Sequence, residues 1–209
     1  MPVQTQTSSP VDVPPLNGEP LPIEFVNTVY PVRGELLDVF RSPEHLAWWL
    51  RACGDRLSAP LSERALAEIG TADLRCFTLL RDASRRLIDA FVGQGEHDPW
   101  DVENVNRAAG MDRPWPLLRW SPGERPSVVN ICTTPPLVAV QAEIAHAVVR
   151  LLAGASGADP RPCPAPGCVF LFDRARSRRE WCSTGCGNRA RAARHYARHH
   201  GRHHGEHCS

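Results

Sequence analysis

A chain of 209 residues is long enough for one hydrophobic core with an attached module, or for two small domains. A formal net charge of +1, with 42% hydrophobic and 7% aromatic residues, excludes wholesale disorder and by itself favours no class of partner. No run approaches the roughly 20 apolar residues of a membrane span, and MPVQTQTSSPVDVPPLNGEP lacks the basic start and apolar stretch of a secretion signal, so a soluble cytoplasmic protein with no membrane partner is expected.

Residues 1–20 hold five prolines and few apolar side chains, which predicts a disordered arm. LPIEFVNTVY is compatible with a short strand or a first helix. SPEHLAWWLRACG predicts a helix: Ser42 can cap it, Pro43 suits the first turn, Gly54 stops it, and Leu46, Trp49, Leu50 and Cys53 share one face. Residues 62–92 predict one or two helices, with a stripe of Leu74, Phe77, Leu80, Leu87, Ile88 and Phe91 ended by Gly93 and Gly95. Asp98 and Pro99 start another helix, WPLLRWSPGERPSVVNICT alternates around a turn as a hairpin does, and residues 136–153 form the most apolar helix. Trp48, Trp49, Trp100, Trp115 and Trp120 are expected as core or edge aromatics, and Cys53, Cys76 and Cys132 on core elements.

GASGADPRP is a linker by composition, assigned to residues 155–162 between a body at 21–154 and a finger at 163–200, with a His-rich tail at 201–209. Charge divides at the same place. Residues 161–209 carry ten arginines against three acids, a net +7, whereas residues 1–160 carry fourteen arginines against twenty acids, a net −6. A basic end on an acidic body points to an anionic partner for that end. Lysine is absent from the whole chain, so the choice of arginine carries less information than its position.

Past the linker, Cys163 and Cys168 form C-x4-C, Cys182 and Cys186 form C-x3-C, and thirteen residues intervene. Two such pairs can bring four thiolates to one tetrahedral Zn2+, a structural site without an open position for water. Pro164, Pro166 and Gly167 supply a turn for the first pair; VFLF can pair with the stretch toward Trp181, and the second cysteine pair opens a helix. A knuckle, a hairpin and a helix carrying the last ligand make a treble-clef-like zinc finger. The fold class expected is therefore mainly α with a small β-hairpin, a helical amino-terminal domain followed by this finger.

WCSTGCGNRARAARHY resembles the CGNR zinc-finger family, whose signature is here Cys186, Gly187, Asn188 and Arg189, with its Phe-x-Asp element at Phe172 and Asp173. LPIEFVNTVYPVRGELLDVFRSPEHLAWWL is similar to the ABATE domain that accompanies this finger. The resemblance covers about residues 21–200 and implies one structural zinc on Cys163, Cys168, Cys182 and Cys186, and a role in stress-induced transcription regulation. Two features depart from the family pattern: C-x3-C stands where many relatives have C-x4-C, and Glu180 interrupts the basic run before Trp-Cys.

If a helix starts near Thr184, Arg191, Arg194, Arg198 and Arg202 recur along one face with Arg189 a turn earlier, and Arg174, Arg176, Arg178 and Arg179 extend the surface. Such a stripe can follow DNA phosphates, with Asn188 as a candidate base contact. The histidines of the tail read as a weakly metal-binding, polar segment. The alternative is a small-molecule-binding protein or enzyme whose body holds the site and whose finger is structural or a docking element. Asn27, Thr28 and Arg33, near Asp38, would then form a ligand pocket; equally, they would pin the first helix. No nucleophile elbow, phosphate-cradling glycine loop or His-Glu zinc motif is present, so no catalytic residue is assigned and a regulator is favoured over an enzyme. The body is expected to sense a small-molecule effector or to form a homodimer.

Overall fold

A computed structural model of the chain describes residues 16–32, 34–58, 61–112, 115–131, 133–175 and 179–200, with 115, 130, 131 and 198–200 described by backbone alone. The order is α1 (Leu21–Val26), β1 (Val29–Val32), β2 (Glu35–Asp38), α2 (Pro43–Ala52), a 3-10 turn at Gly54–Arg56, α3 (Glu63–Ala67), α4 (Thr71–Phe91), α5 (Pro99–Ala109), β3 (Trp115–Arg119), β4 (Ser127–Ile131), α6 (Pro136–Leu152), β5 (Pro160–Pro162), β6 (Leu171–Asp173) and α7 (Thr184–His200). The fold is mainly α, as expected, with three separate two-stranded antiparallel sheets among the described residues, one of them the hairpin expected around Ser121.

LPIEFVNTVY becomes both of its alternatives. Pro22 lies in the first turn of α1, where a missing N–H costs nothing, and the chain then turns at Asn27 into β1, paired with β2 from Val29↔Asp38 to Val32↔Glu35. Phe25 lies at the centre of an aromatic core, 5.5 Å from the Trp49 ring and 6.4 Å from Phe77 in an edge-on arrangement. The α2 face of Leu46, Trp49, Leu50 and Cys53 is buried as its spacing predicts. Burial pushes the Cys53 thiol up to about 12, so it behaves as an inert apolar group. Ser42 does not cap α2 through its side chain; its hydroxyl meets His45 Nδ1 at 2.8 Å. Asp98 does cap α5, accepting from Trp100 N at 2.9 Å.

Helix α4 is the axis of the body and packs on α1, α2, α5 and α6. Two ion pairs fix it. Arg81, 3% exposed, holds Asp38 through two bonds of 2.5 and 2.8 Å, and Arg86 holds the buried Asp101 of α5 at 2.6 and 2.7 Å. Most of its predicted stripe is covered, but Phe91 at the end is 52% exposed, as are Trp100 (63%) and Trp120 (68%). Cys76 is exposed rather than in the core, and Cys132 lies outside the described residues. The β3–β4 hairpin forms around a turn in which Glu124 N donates to Ser121 O, with Gly123 at φ +83°.

The partner of β6 differs from expectation. Leu171–Asp173 pairs with Pro160–Pro162, not with the stretch toward Trp181. Cys163 N donates to Phe170 O and Arg174 N to Asp159 O, both at 2.9 Å, so the hydrogen-bonded rungs fall at odd positions of the first strand. Pro160 and Pro162 occupy the rungs that need no donor, which is how two prolines read as linker can build a strand.

Candidate functional site

The β5–β6 hairpin encloses the first cysteine pair, and the first turn of α7 carries the last cysteine. Cys168 N donates to Ala165 O at 3.0 Å and Gly167 adopts φ +69°, a left-handed turn that aims both sulfurs of C-x4-C the same way. Ser183 Oγ accepts from Cys186 N at 3.2 Å, capping α7 where its fourth ligand begins. The Sγ atoms of Cys182 and Cys186 are 3.4 Å apart, those of Cys168 and Cys182 and of Cys186 and Cys168 3.7 Å each, and all four lie within 4.8 Å of one another. A tetrahedron with Zn–S bonds of ~2.3 Å has edges of roughly 3.8 Å. The four cysteines predicted from spacing thus fit one structural zinc, and the fourth sulfur closes the site to water.

The protein groups around the sulfurs show why a cation belongs there. A hydrogen bond from Cys182 draws the Cys168 thiol down to about 5, while the same contact pushes Cys182 up and burial pushes Cys163 up. Four close sulfurs cannot all ionise without a counter-charge, which a divalent ion supplies. Cys182 N at 3.5 Å from Cys163 Sγ and Arg189 Nη2 at 3.2 Å from Cys186 Sγ offer further donors.

Each residue of the Cys-Gly-Asn-Arg signature has a distinct part. Cys186 is a ligand and Arg189 bonds its sulfur. A Cβ on Gly187 would come within 3.1 Å of the Trp181 ring, so the glycine lets that indole lie against α7. Asn188 Oδ1 accepts from Arg191 Nη2 at 2.6 Å, and the Arg191 guanidinium stands 5.5 Å from the centre of the Trp181 ring. Asn188 and Trp181 together hold one guanidinium in place. Sequence reasoning missed Trp181, whose only local signal was its closeness to the ligands.

Helix α7 continues past this centre. Among the described side chains Ala190 is the last of the helix to be buried and every one from Arg191 through Ala197 is exposed, and α7 makes no substantial contact with another described element. Arg191 and Arg194 lie on this exposed length; Arg198 is on the helix, but its side chain is not described. Arg178 lies outside the described residues, as do Arg176, Arg202 and the tail at 201–209.

Arg179 belongs elsewhere. Its guanidinium bonds Glu19 Oε1, reaches Cys182 O at 3.4 Å and stacks 5.3 Å from the Phe172 ring centre, so it lies between finger and body rather than on an open basic surface. Glu19, placed by composition in the amino-terminal arm, is 2% exposed. Burial raises the carboxyl of neighbouring Glu24, which accepts from Glu19 N at 2.8 Å.

The outward edge of β6 explains where Asn27 and Thr28 went. Leu171 sits on a rung whose N–H and C=O point away from β5. Asn27 Nδ2 donates to Leu171 O at 2.8 Å and Asn27 Oδ1 accepts from Leu171 N at 2.9 Å, so one amide side chain replaces a neighbouring strand. Glu19 Oε2 accepts from Asp173 N at 2.9 Å and Arg85 Nη2 donates to Val169 O at 2.8 Å on the same edge. Below it Ile23, Val26, Ile88, Leu151 and Leu171 form an apolar cluster. Thr28 Oγ1 donates to Phe25 O at 2.8 Å, and Arg33 lies outside the described residues. Asn27 and Thr28, 4% and 1% exposed, therefore pin backbone instead of lining a ligand pocket, and what Asn27 pins is the finger.

Among the described residues no helix is long and apolar enough to cross a membrane. A family model named ABATE, described as "Putative stress-induced transcription regulator", matches residues 19–155, and a model of the CGNR zinc finger matches residues 161–199. No protein of curated function matches the chain. With the first match spanning well over half of its length and the second the four-cysteine segment, the protein belongs to the ABATE family and carries a CGNR zinc finger.

Proposed function

We propose that the protein is a DNA-binding transcription regulator in which the zinc finger contacts duplex DNA through α7 and the body, residues 21–154, responds to an effector or a second copy. One observation carries this: Arg191 and Arg194 lie on the exposed length of α7 and meet no carboxylate among the described residues. Exposed guanidinium groups without a carboxylate partner are available to phosphate. From Ala190 to His200 the helix runs about 15 Å, and a major groove roughly 12 Å wide admits an α-helix of this kind. With four thiolates on a divalent ion contributing about −2, the +7 of residues 161–209 falls to roughly +5.

The body's acids do not pair with the arginines of α7 among the described residues; the one ion pair described between finger and body, Arg179 with Glu19, leaves α7 uncovered. Binding is checked by fluorescence anisotropy of a labelled duplex against salt. If five phosphates are engaged, log affinity falls with log salt at a slope of about −4.5. Replacing Arg191, Arg194 and Arg198 together by Ala will flatten that slope toward about −2. A salt-independent affinity, or a slope unchanged in the triple variant, would remove DNA binding from α7.

A further inference from the structure

The ends of α4 and α6 and the face of α5 border an open cavity of about 740 Å³ that no described residue of the finger lines. Its floor is Leu87 and Val105, 7% and 2% exposed, and its walls include Phe91, Val102 and Val149, which are 52%, 38% and 37% exposed. Phe91 completes the apolar stripe of α4, so a side chain spaced for a core opens instead onto this concavity. The volume lies within the ~300–1,000 Å³ of small-molecule sites. A cavity of this size between three helix faces suits a compact molecule better than a helix of another protein.

The rim decides the charge of the occupant. Among the described lining residues the ionisable groups are Glu96 and His97, with Asn106 as a neutral polar neighbour. No arginine lines the cavity among these residues, although arginine is abundant in the chain. Helices α4 and α6 both end here, at Phe91 and Leu152; α6 carries Arg150 in its last turn, whereas the last turn of α4 has no basic residue and its carboxy-terminal dipole end favours positive charge. Apolar walls, one carboxylate and the uncompensated carboxy-terminal end of α4 are complementary to a molecule with a hydrophobic ring and an ammonium group.

We infer that this cavity is a binding site for a small apolar molecule carrying a cationic amine. It is separate from the zinc centre and from the DNA contacts proposed for α7. The test uses the full-length zinc-loaded chain and three probes sharing one ring: 1-naphthylmethylamine, 1-naphthylmethanol and 1-naphthoate, titrated by protein-observed NMR. The amine will bind tightest and the carboxylate weakest, with shifts confined to α4, α5 and α6. Glu96→Gln will cut the preference for amine over alcohol by about threefold, as expected for one exposed ion pair, and leave alcohol binding unchanged. Val102→Trp and Val149→Trp fill the cavity from two different helices; each will reduce binding of all three probes by about tenfold or more at an unchanged far-UV spectrum. Equal binding of amine and carboxylate, or binding indifferent to both tryptophan variants, overturns the inference. So does a dimer in light scattering that Val102→Trp converts to monomer, since the cavity would then be a contact between copies.

Discussion

Removing zinc with a strong chelator at neutral pH will unfold α7 and the cysteine knuckle while the helical body keeps its core. The finger's own apolar cluster consists of Ala165, Phe172, Ala190 and three of the ligands themselves, Cys163, Cys182 and Cys186, with Cys168, Phe170 and Trp181 partly buried against it. So small a cluster cannot offset the ordering entropy of some 40 residues. Metal binding in comparable modules supplies on the order of 10–16 kcal/mol, and here that energy is folding energy. The body does not share the dependence, because Phe25, Phe40, Trp49 and Phe77 pack into a core of their own. Circular dichroism should lose roughly one long helix, hydrogen exchange should accelerate from Cys182 onward, and the DNA affinity proposed for α7 should vanish. One zinc per chain should be released, and the same stoichiometry should survive deletion of residues 201–209. Cys182→Ser will behave like the chelated protein. Retention of α7 without metal, or loss of zinc with the tail, would remove the four-cysteine site as the origin of finger stability.

Asn27→Ala will loosen the finger from the body without touching the metal. The substitution leaves Leu171 N and Leu171 O, both buried, with no replacement donor or acceptor. Each such orphan costs about 1–3 kcal/mol, so a loss of about 3 kcal/mol or more is expected against a total of ~5–15 kcal/mol. Asn27→Asp keeps the acceptor for Leu171 N but turns a carboxylate toward Leu171 O, and should be no better. Thr28→Ala removes a single local bond to Phe25 O and should cost about 1 kcal/mol. Urea melts give the energies, and exchange of the Leu171 amide locates them. An unchanged midpoint with Leu171 still protected in Asn27→Ala would show that the apolar cluster alone holds the finger. Zinc stoichiometry should stay at one in every case, which separates this effect from metal loss.

The zinc ligands and the long helices were legible because their signals are local. Two cysteine pairs, turn residues between them and a helix start after Trp181 all lie within about one supersecondary unit, and α4 and α6 announce themselves by period. The join between finger and body was not legible. Asn27 and Leu171 are 144 residues apart and Glu19 and Asp173 are 154 apart, and neither amide nor carboxylate carries a local mark of its distant partner. Position 19 sat in a proline-rich segment and read as arm; Pro160 and Pro162 read as linker because the rungs they occupy become apparent only once β6 is paired. Arg179 illustrates the limit of charge counting: it belongs to a basic run in sequence but to a buried acid in space. Phe91 misled in the opposite direction, keeping core spacing to the end of a helix whose last turn opens onto the cavity.

Because Asn27, Glu19 and Arg85 impersonate a missing strand, the zinc module is not a portable cassette. Cut away from its host, it would carry a bare ribbon margin, and two severed copies would be free to zip together along it. Any attempt to transplant this finger onto another protein must therefore bring along α1 or supply a substitute amide.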